Sequence, residues 1–299
     1  MAEALSVRNL VKHYPTLFGP GQQALRGLTL SVPTGAAFGL IGPNGAGKTT
    51  FIKVLLGVVR PTSGEVTVLG GDPQDLSVRA RIGYLPERMH LPAALKGRDF
   101  LRSVSTLKGL SPSDAELGKM LERVGLANSQ QRIGTFSKGM RQRLGLAAAM
   151  LGKPELLILD EPTDGIDPLG RVEVRALLLE EKARGATILL NSHLLAETER
   201  VCDRVGVLQL GQLKLDGTLE EIRHASSRWS VTFANGAEGA DVAGFVRGEK
   251  GFHFEGDVAA LNKAIDAARA KGLEITSVVP MTRDLEAVLS ELQGSEEAK

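Results

Sequence analysis

Apolar side chains recur along this chain in several distinct rhythms. Leu5 to Val11, and Ala24 to Val32 after a Gly/Pro-containing loop, alternate apolar and polar positions. That is the period of a strand with one wet face, and it predicts an antiparallel, half-exposed sheet. Phe38-Gly39-Leu40-Ile41 is short and wholly apolar, and leads through a glycine-rich loop into a predicted helix from about Lys48 to Val58. Residues 65–69 and 82–85 read as further strands. From about Pro92 to Leu151 helical spacing takes over, with Ser111 and Ser113 as candidate caps and Gly125 placed to close a helix. Two apolar runs follow, Leu156–Asp160 and Thr187–Asn191, separated by a helix predicted to start near Pro168. Apolar strands alternating with helices imply a parallel sheet covered on both faces. The segments Val205–Leu210 and Leu213–Asp216, around Gly211-Gln212, predict a hairpin that ends this first body.

Beyond Thr218 the pattern changes. Trp229–Phe233 and residues 252–255 read as strands, Val258, Leu261, Ile265 and Ala268 follow helical spacing, and Leu273–Val279 reads as a strand. Leu285, Val288, Leu289 and Leu292 mark a closing helix before an acidic end. The expectation is a small α+β domain over 225–299, set off from residues 1–224 at the polar pair Ser226-Ser227, with Trp229 in its core. No internal repeat or low-complexity tract is present.

Composition narrows the class. A chain of 299 residues suggests about two domains on the usual scale of roughly 100–200 residues each. Its 42% hydrophobic and 24% charged content is that of an ordinary globular protein. A net charge of +1 offers no electrostatic reason to expect nucleic acid as a partner. The single cysteine, Cys202, lies in an apolar-periodic stretch and reads as a buried structural thiol, which fits a reducing cytosol. The first residues, Met1-Ala2-Glu3-Ala4-Leu5, carry neither a basic n-region nor an apolar h-region, so no secretory signal is expected. No run approaches the ~18 apolar residues of a spanning helix. Membrane association is therefore expected to run through another polypeptide.

Candidate chemistry begins at Gly42-Pro43-Asn44-Gly45-Ala46-Gly47-Lys48-Thr49, followed by Thr50. This matches the P-loop pattern in its required setting, strand before and helix after. Glycines let successive N–H groups face one point, an anion nest at a helix N-terminus. Lys48 would reach the β- and γ-phosphates, and the Thr49 hydroxyl would take a Mg²⁺ position. Leu156-Leu157-Ile158-Leu159-Asp160-Glu161 supplies the second half: an apolar strand aims Asp160 at the metal, and Glu161 would orient or deprotonate the attacking water. A P-loop alone leaves kinases, GTPases, motors and transporters open.

Between these motifs, Thr135-Phe136-Ser137-Lys138-Gly139-Met140-Arg141-Gln142-Arg143-Leu144 resembles the signature motif of ABC ATPases, commonly Leu-Ser-Gly-Gly-Gln. The surrounding order is similar to that family too. Tyr14 stands in the place of the adenine-stacking aromatic, and Tyr84-Leu85-Pro86-Glu87 in that of the Q-loop. Asp164-Gly165-Ile166-Asp167 resembles the D-loop, and Asn191-Ser192-His193 the switch histidine. The resemblance covers roughly residues 5–217. It implies a P-loop NTPase α/β core with an antiparallel β subdomain and an inserted helical subdomain over about 92–151, followed here by the α+β domain. It also implies ATP rather than GTP, with Mg²⁺, a γ-phosphate contact from His193, and Asp167 at the nucleotide interface. In the family, two subunits pair head to tail, so that Ser137 and Gly139 of one would close over nucleotide held by the other. A membrane-spanning permease subunit would receive the work, docking near Glu87 with Met89, His90, Leu91 and Leu95 as candidates; those same side chains read equally as packing. The expected place is the cytoplasmic face of the cell membrane.

Three positions depart from the common pattern. Lys138 replaces the first glycine of the signature and Met140 its glutamine, both similar to subunits of the ABC-2 exporter group. Glu87 stands where glutamine is commoner, able to accept from water or ligate Mg²⁺ but not to donate. A soluble ABC ATPase without a transport role is the rival reading; such proteins tend to carry two cassettes or a coiled-coil insertion, and this chain shows neither. A sensor that binds without turnover is disfavoured by the intact Glu161. His13, His90, His224 and His253 are scattered and suggest no metal site. The second domain is left to regulate, dimerise or brace.

Overall fold

A computed structural model describes residues 2–16, 21–127, 130–224, 228–234, 244–248, 251–281 and 285–286. The chain divides into two compact units, Met1–Asp216 and Gly217–Lys299.

The first unit opens with β1 (Glu3–Tyr14) and β2 (Gln22–Pro33), followed by β3 (Ala37–Ile41), α1 (Lys48–Leu55) and β4 (Ser63–Val68). Strands β2, β1 and β4 form a three-stranded antiparallel sheet. Leu5, Val7, Leu10, Leu25, Leu28 and Leu30 are buried; the two-residue period is broken by three-residue steps from Val7 to Leu10 and from Leu25 to Leu28, where Asn9 (φ 48°) and Gly27 (φ 80°) turn left-handed. Helix α1 ends at Leu55, short of the expected Val58, because Gly57 turns left-handed (φ 67°) where a Cβ would meet the Pro73 carbonyl oxygen at 2.2 Å.

After α2 (Leu76–Ala80) and β5 (Ile82–Leu85) come three helices, α3 (Gly97–Leu107), α4 (Asp114–Arg123) and α5 (Lys138–Met150). Of the two serine caps expected, Ser113 alone starts a helix, with Glu116 completing a capping box; Gly125 (φ 72°) ends it. Two of the three, α4 and α5, are tied to the core by charge. Arg123 meets Glu180 and the buried Glu181, each at 3.1 Å, and Arg143 meets Glu173 at 2.7 Å. All three carboxylates lie on α6 (Pro168–Ala183).

The remaining elements of the unit are β6 (Leu156–Asp160), β7 (Thr187–Asn191), α7 (Leu195–Val201), β8 (Arg204–Gln209) and β9 (Gln212–Thr218), the last crossing the division between units. The main sheet runs β5-β6-β7-β3-β8-β9. Strands β5, β6, β7, β3 and β8 are parallel in sequence of pairing. Every residue of β3, β6 and β7 is buried, which is why those strands carry no polar alternation. The β8–β9 turn falls one residue earlier than the sequence suggests. Leu210 and Gly211 (φ 46° and 78°) occupy it, the paired positive φ of a type I′ hairpin. Cys202 is buried, and burial drives its thiol pKa far up, so it is an inert packing group. Among the described residues no helix is long and apolar enough to cross a membrane.

The second unit begins with α8 (Leu219–His224), then β10 (Arg228–Phe233), β11 (Val246–Gly248), β12 (Gly251–Glu255), α9 (Val258–Ala270) and β13 (Ile275–Pro280). Its sheet order is β11-β12-β10-β13. Val231, Phe233, Phe245, Phe252, Phe254, Leu261 and Ala268 form a separate core, with Trp229 packed against it. Phe233 meets Phe245 and Phe252 edge to face, at centroid distances of 5.7 and 5.1 Å. The Ser226-Ser227 boundary and the closing helix beyond Glu286 lie outside the described residues.

A chain ending at His224 is expected to keep one cooperative thermal unfolding transition. Circular dichroism would follow it; a broad, non-cooperative melt would mean that part of the first unit's core lies beyond residue 224.

Candidate functional site

Parallel strands put their carboxyl ends on one edge, and three of those ends meet here. Strand β3 runs into the 42–47 loop, β6 ends in Asp160 and β7 in Asn191. Asn191 is in register with Asp160 on one side and with Leu40 on the other. Around this edge lies a cavity of about 580 Å³.

The loop forms its floor. Gly47, which precedes α1, has φ 108°, and a Cβ there would sit 2.5 Å from the Ala24 carbonyl oxygen. No side chain caps α1, so its first-turn N–H groups are left to face the cavity, where an anion would meet them. The Lys48 ammonium donates to the carbonyl oxygens of Gly42 at 2.6 Å and Pro43 at 3.0 Å. Burial lowers its pKa, against the pull of Glu161, Asp160 and Glu87.

Opposite the loop are the carboxylates. Asp160 is buried and accepts from Asn191 Nδ2 at 2.5 Å. Burial raises its pKa; the Asn191 bond and Lys48 oppose the shift, whereas Glu87 and Glu161 add to it. Glu161 follows in a left-handed conformation (φ 52°), its N–H bound to the Asn191 carbonyl oxygen at 2.8 Å. The bend turns the carboxylate away from the strand direction and toward the segment after β7. There it accepts from the His193 N–H at 3.0 Å, meets His193 Nδ1 at 2.8 Å, and accepts from Ser192 Oγ at 3.4 Å. Gln142, buried on α5, donates to the Glu161 carbonyl oxygen at 2.7 Å.

Most of the sequence-derived residues come together. Gly42, residues 44–50, Glu87, Glu161 and His193 all line the cavity. Pro43, whose carbonyl holds Lys48, and Asp160, which accepts from the lining residue Asn191, do not line it themselves. Four further candidates lie off it. Tyr14 ends β1 with the Lys12 ammonium 4.9 Å from its ring centre, while Gln22, its partner across the strands, lines the cavity. Ser137 Oγ caps α5, accepting from Met140 N at 3.2 Å, and Gly139 packs against the Gly165 carbonyl. Asp167 is exposed ahead of α6. Lys138 pairs with Asp164, itself a lining residue, at 2.7 Å. A second cavity, of about 390 Å³, is lined by Tyr84, Met89, His90, Leu91, Phe100 and Ala148 among others; Leu95 is not part of it.

Sequence reasoning missed Gln22, Ala24, Asn191, Ser192 and Gln142 as site residues. Asn191 left a signal: a polar residue closing the apolar Ile188-Leu189-Leu190 of a five-residue run, as Asp160 closes Leu156–Leu159.

The donor set suits a hard cation. Thr49, Glu87 and Asp160 offer only oxygen, and three carboxylates here face one lysine. Among the described residues no group of three or more His, Cys, Asp or Glu forms a metal cage. Magnesium held by one or two carboxylates together with substrate phosphates needs none.

A family profile described as ABC transporter matches residues 25–164. An uncharacterised ABC transporter ATP-binding protein of Synechocystis is 36% identical over 295 residues, covering 95% of this chain and 83% of that protein. The bacitracin transport ATP-binding protein BcrA of Bacillus licheniformis is 39% identical over 226 residues, 74% of this chain and 70% of that one. A solved ATP-binding subunit of an ABC transporter superposes with a TM-score of 0.68 at 35% identity, covering 74% of this chain and 92% of that one.

Gly47→Ala is expected to weaken nucleotide binding by about 5–150-fold, the equivalent of roughly 1–3 kcal/mol of backbone strain. Fluorescent-nucleotide titration would measure it; parent-like affinity would mean that the loop tolerates a side chain at this position.

Proposed function

This chain belongs to the ABC transporter family as an ATP-binding subunit, and on that premise we propose that it hydrolyses Mg²⁺-ATP at the β3–β6–β7 edge to drive a separate membrane-spanning partner. The observation that carries the reading is the clamping of Glu161 beside the phosphate loop. A left-handed turn, the Asn191 carbonyl and the His193–Ser192 segment together fix one carboxylate next to the Lys48 cavity.

In the proposed reaction the triphosphate lies on the 42–49 loop. N–H groups at the start of α1 bind the phosphate oxygens, and the Lys48 ammonium exchanges its carbonyl partners for the β- and γ-phosphates. Thr49 and Asp160, with Glu87 beside them, hold the magnesium, which when bound supplies charge neutralisation on those phosphates. Glu161 orients a water for in-line attack on the γ-phosphorus and accepts its proton. The bond from that phosphorus to the β,γ-bridging oxygen breaks, and charge on the departing ADP is met by Lys48 and the loop. His193, already against Glu161, is placed to trade that contact for the γ-phosphate. Tyr14, across the strands from the lining residue Gln22, is the proposed adenine platform.

Ser137 and Gly139 do not line the cavity of their own chain, which supports a head-to-tail pair in which each signature closes over the other subunit's nucleotide, Asp167 lying at that junction. The second cavity, beside Glu87 and against α3 and α5, is the proposed seat of the permease. The work is proposed to be done at the cytoplasmic membrane surface, with catalysis confined to residues 1–224 and the remainder bracing or regulating the pair.

Glu161→Gln is expected to bind ATP as the parent does while turnover falls by about 10²–10⁴, the usual worth of a positioned acid–base group. Phosphate release by a preparation free of contaminating ATPase is the measurement, and near-parental turnover removes Glu161 from the mechanism.

A further inference from the structure

Asn191 holds both members of the acidic pair at once. Its main-chain carbonyl accepts from Glu161 N–H at 2.8 Å, and its side chain donates from Nδ2 to Asp160 Oδ1 at 2.5 Å. The orientation of the carboxamide follows from chemistry. An ionised carboxylate only accepts, so the NH₂ group must face Asp160; the flipped amide would set two oxygens against each other. The amide oxygen is thereby pointed elsewhere. Asn191 is 5% exposed and lines the phosphate cavity, and among the described residues its Oδ1 is a buried acceptor with no donor.

A buried acceptor left unmet is costly, so its retention at the end of β7 calls for a donor that arrives with the ligand. Magnesium keeps several of its waters when it binds through one or two carboxylates, and a metal-bound water is a strong donor. We propose that Asn191 is a positioning residue for the metal: its NH₂ group fixes the Asp160 carboxylate, and its amide oxygen takes a hydrogen from a water of the hydrated cation. The proposal rests on the reading of Asp160 as a metal-holding group. The division of labour within Asn191 makes the role separable. A substitution there keeps the main-chain bond that sets Glu161 and removes the side-chain bond that sets Asp160.

The test measures binding, without turnover. Mn²⁺ affinity in the presence of AMP-PNP would be read by electron paramagnetic resonance, alongside AMP-PNP affinity in EDTA, for the full chain and for Asn191→Leu, Asn191→Ser and Asp160→Asn. Asn191→Leu matches the shape without either polar function, and Asn191→Ser keeps a shorter hydroxyl. Expected for Asn191→Leu is a metal-free AMP-PNP affinity within about twofold of the parent and a Mn²⁺ affinity reduced about 10–100-fold, the usual cost of losing a group that hydrogen-bonds a metal ligand. Asn191→Ser is expected to lie between, and it decides the matter if Asn191→Leu does not fold. Should Asp160→Asn lose Mn²⁺ affinity while the folded Asn191 variants keep it, the role of Asn191 is overturned and the metal reading stands. Should Asp160→Asn itself bind Mn²⁺ as the parent does, the metal assignment falls and the role of Asn191 with it. Equal loss of metal-free and metal-linked affinity in the Asn191 variants would mark a purely structural residue and also overturn the proposal.

Discussion

The parallel pairing of β5, β6, β7 and β3 is the constraint on which the rest of this structure depends. Strands β6, β7 and β3 are buried along their whole length, so polar chemistry can be placed only where they end. Parallel direction puts those ends on one edge, and register does the fine alignment: Asp160 lies beside Asn191, which lies beside Leu40, one residue before the strand gives way to the phosphate loop. A slip of one residue between β6 and β7 would turn Asn191 away from Asp160 and break the Asn191–Glu161 bond together with it. The apolar content of the strands therefore has a functional consequence, since packing on both faces holds the carboxylates where the phosphates arrive.

Charge explains why the edge is a site and not merely a strand terminus. Glu87, Asp160 and Glu161 share one neighbourhood with Lys48, an arrangement with excess negative charge that a divalent cation and a polyphosphate would rebalance together. Lys48 is meanwhile satisfied by two loop carbonyls, and Glu161 by the His193 segment. Those contacts are local and exchangeable, whereas the Asp160–Asn191 bond is buried. On the proposed reading, such a site would keep its metal side rigid and let its phosphate-side partners change.

Legibility in the sequence followed the range of the determining interaction. The bounds of β6 and β7 could be read to the residue and the start of α6 to its neighbourhood, because apolar runs closed by Asp160 and by Asn191, and a helix opened near Pro168, are local signals. Less local features were harder to see. The end of α1 at Leu55 depends on the Pro73 carbonyl lying over Gly57, and the assignment of β4 and β5 to different sheets depends on pairing that no short window reveals. Within the site, the phosphate loop, Asp160, Glu161 and His193 were visible as motif residues. Gln22 and Ala24 line the cavity only because β2 folds back beside it, and Gln142 reaches Glu161 only because α5 packs there; neither fact has a signature in a stretch of chain. The Lys138–Asp164 pair joins the start of α5 to the turn after β6, 26 residues apart, and links the departure in the signature to a cavity-lining carboxylate.

Ser137 caps α5 and does not line the cavity of its own chain, and the proposed pairing therefore divides the machinery between two chains, half on the sheet edge of one subunit and half at the start of α5 in the other. Complementation measures this directly. Lys48→Ala disables the phosphate loop and Ser137→Arg the signature, so each variant alone is expected to hydrolyse ATP at background rates. Mixed, they form heterodimers in which one composite site takes its loop from the Ser137→Arg chain and its signature from the Lys48→Ala chain. Phosphate release on titrating one variant into the other is predicted to rise, toward about a quarter of the parental rate at equal concentrations if pairing is random and the single site works independently. Two variants that are each inactive, each folded, and still inactive when mixed would contradict the account.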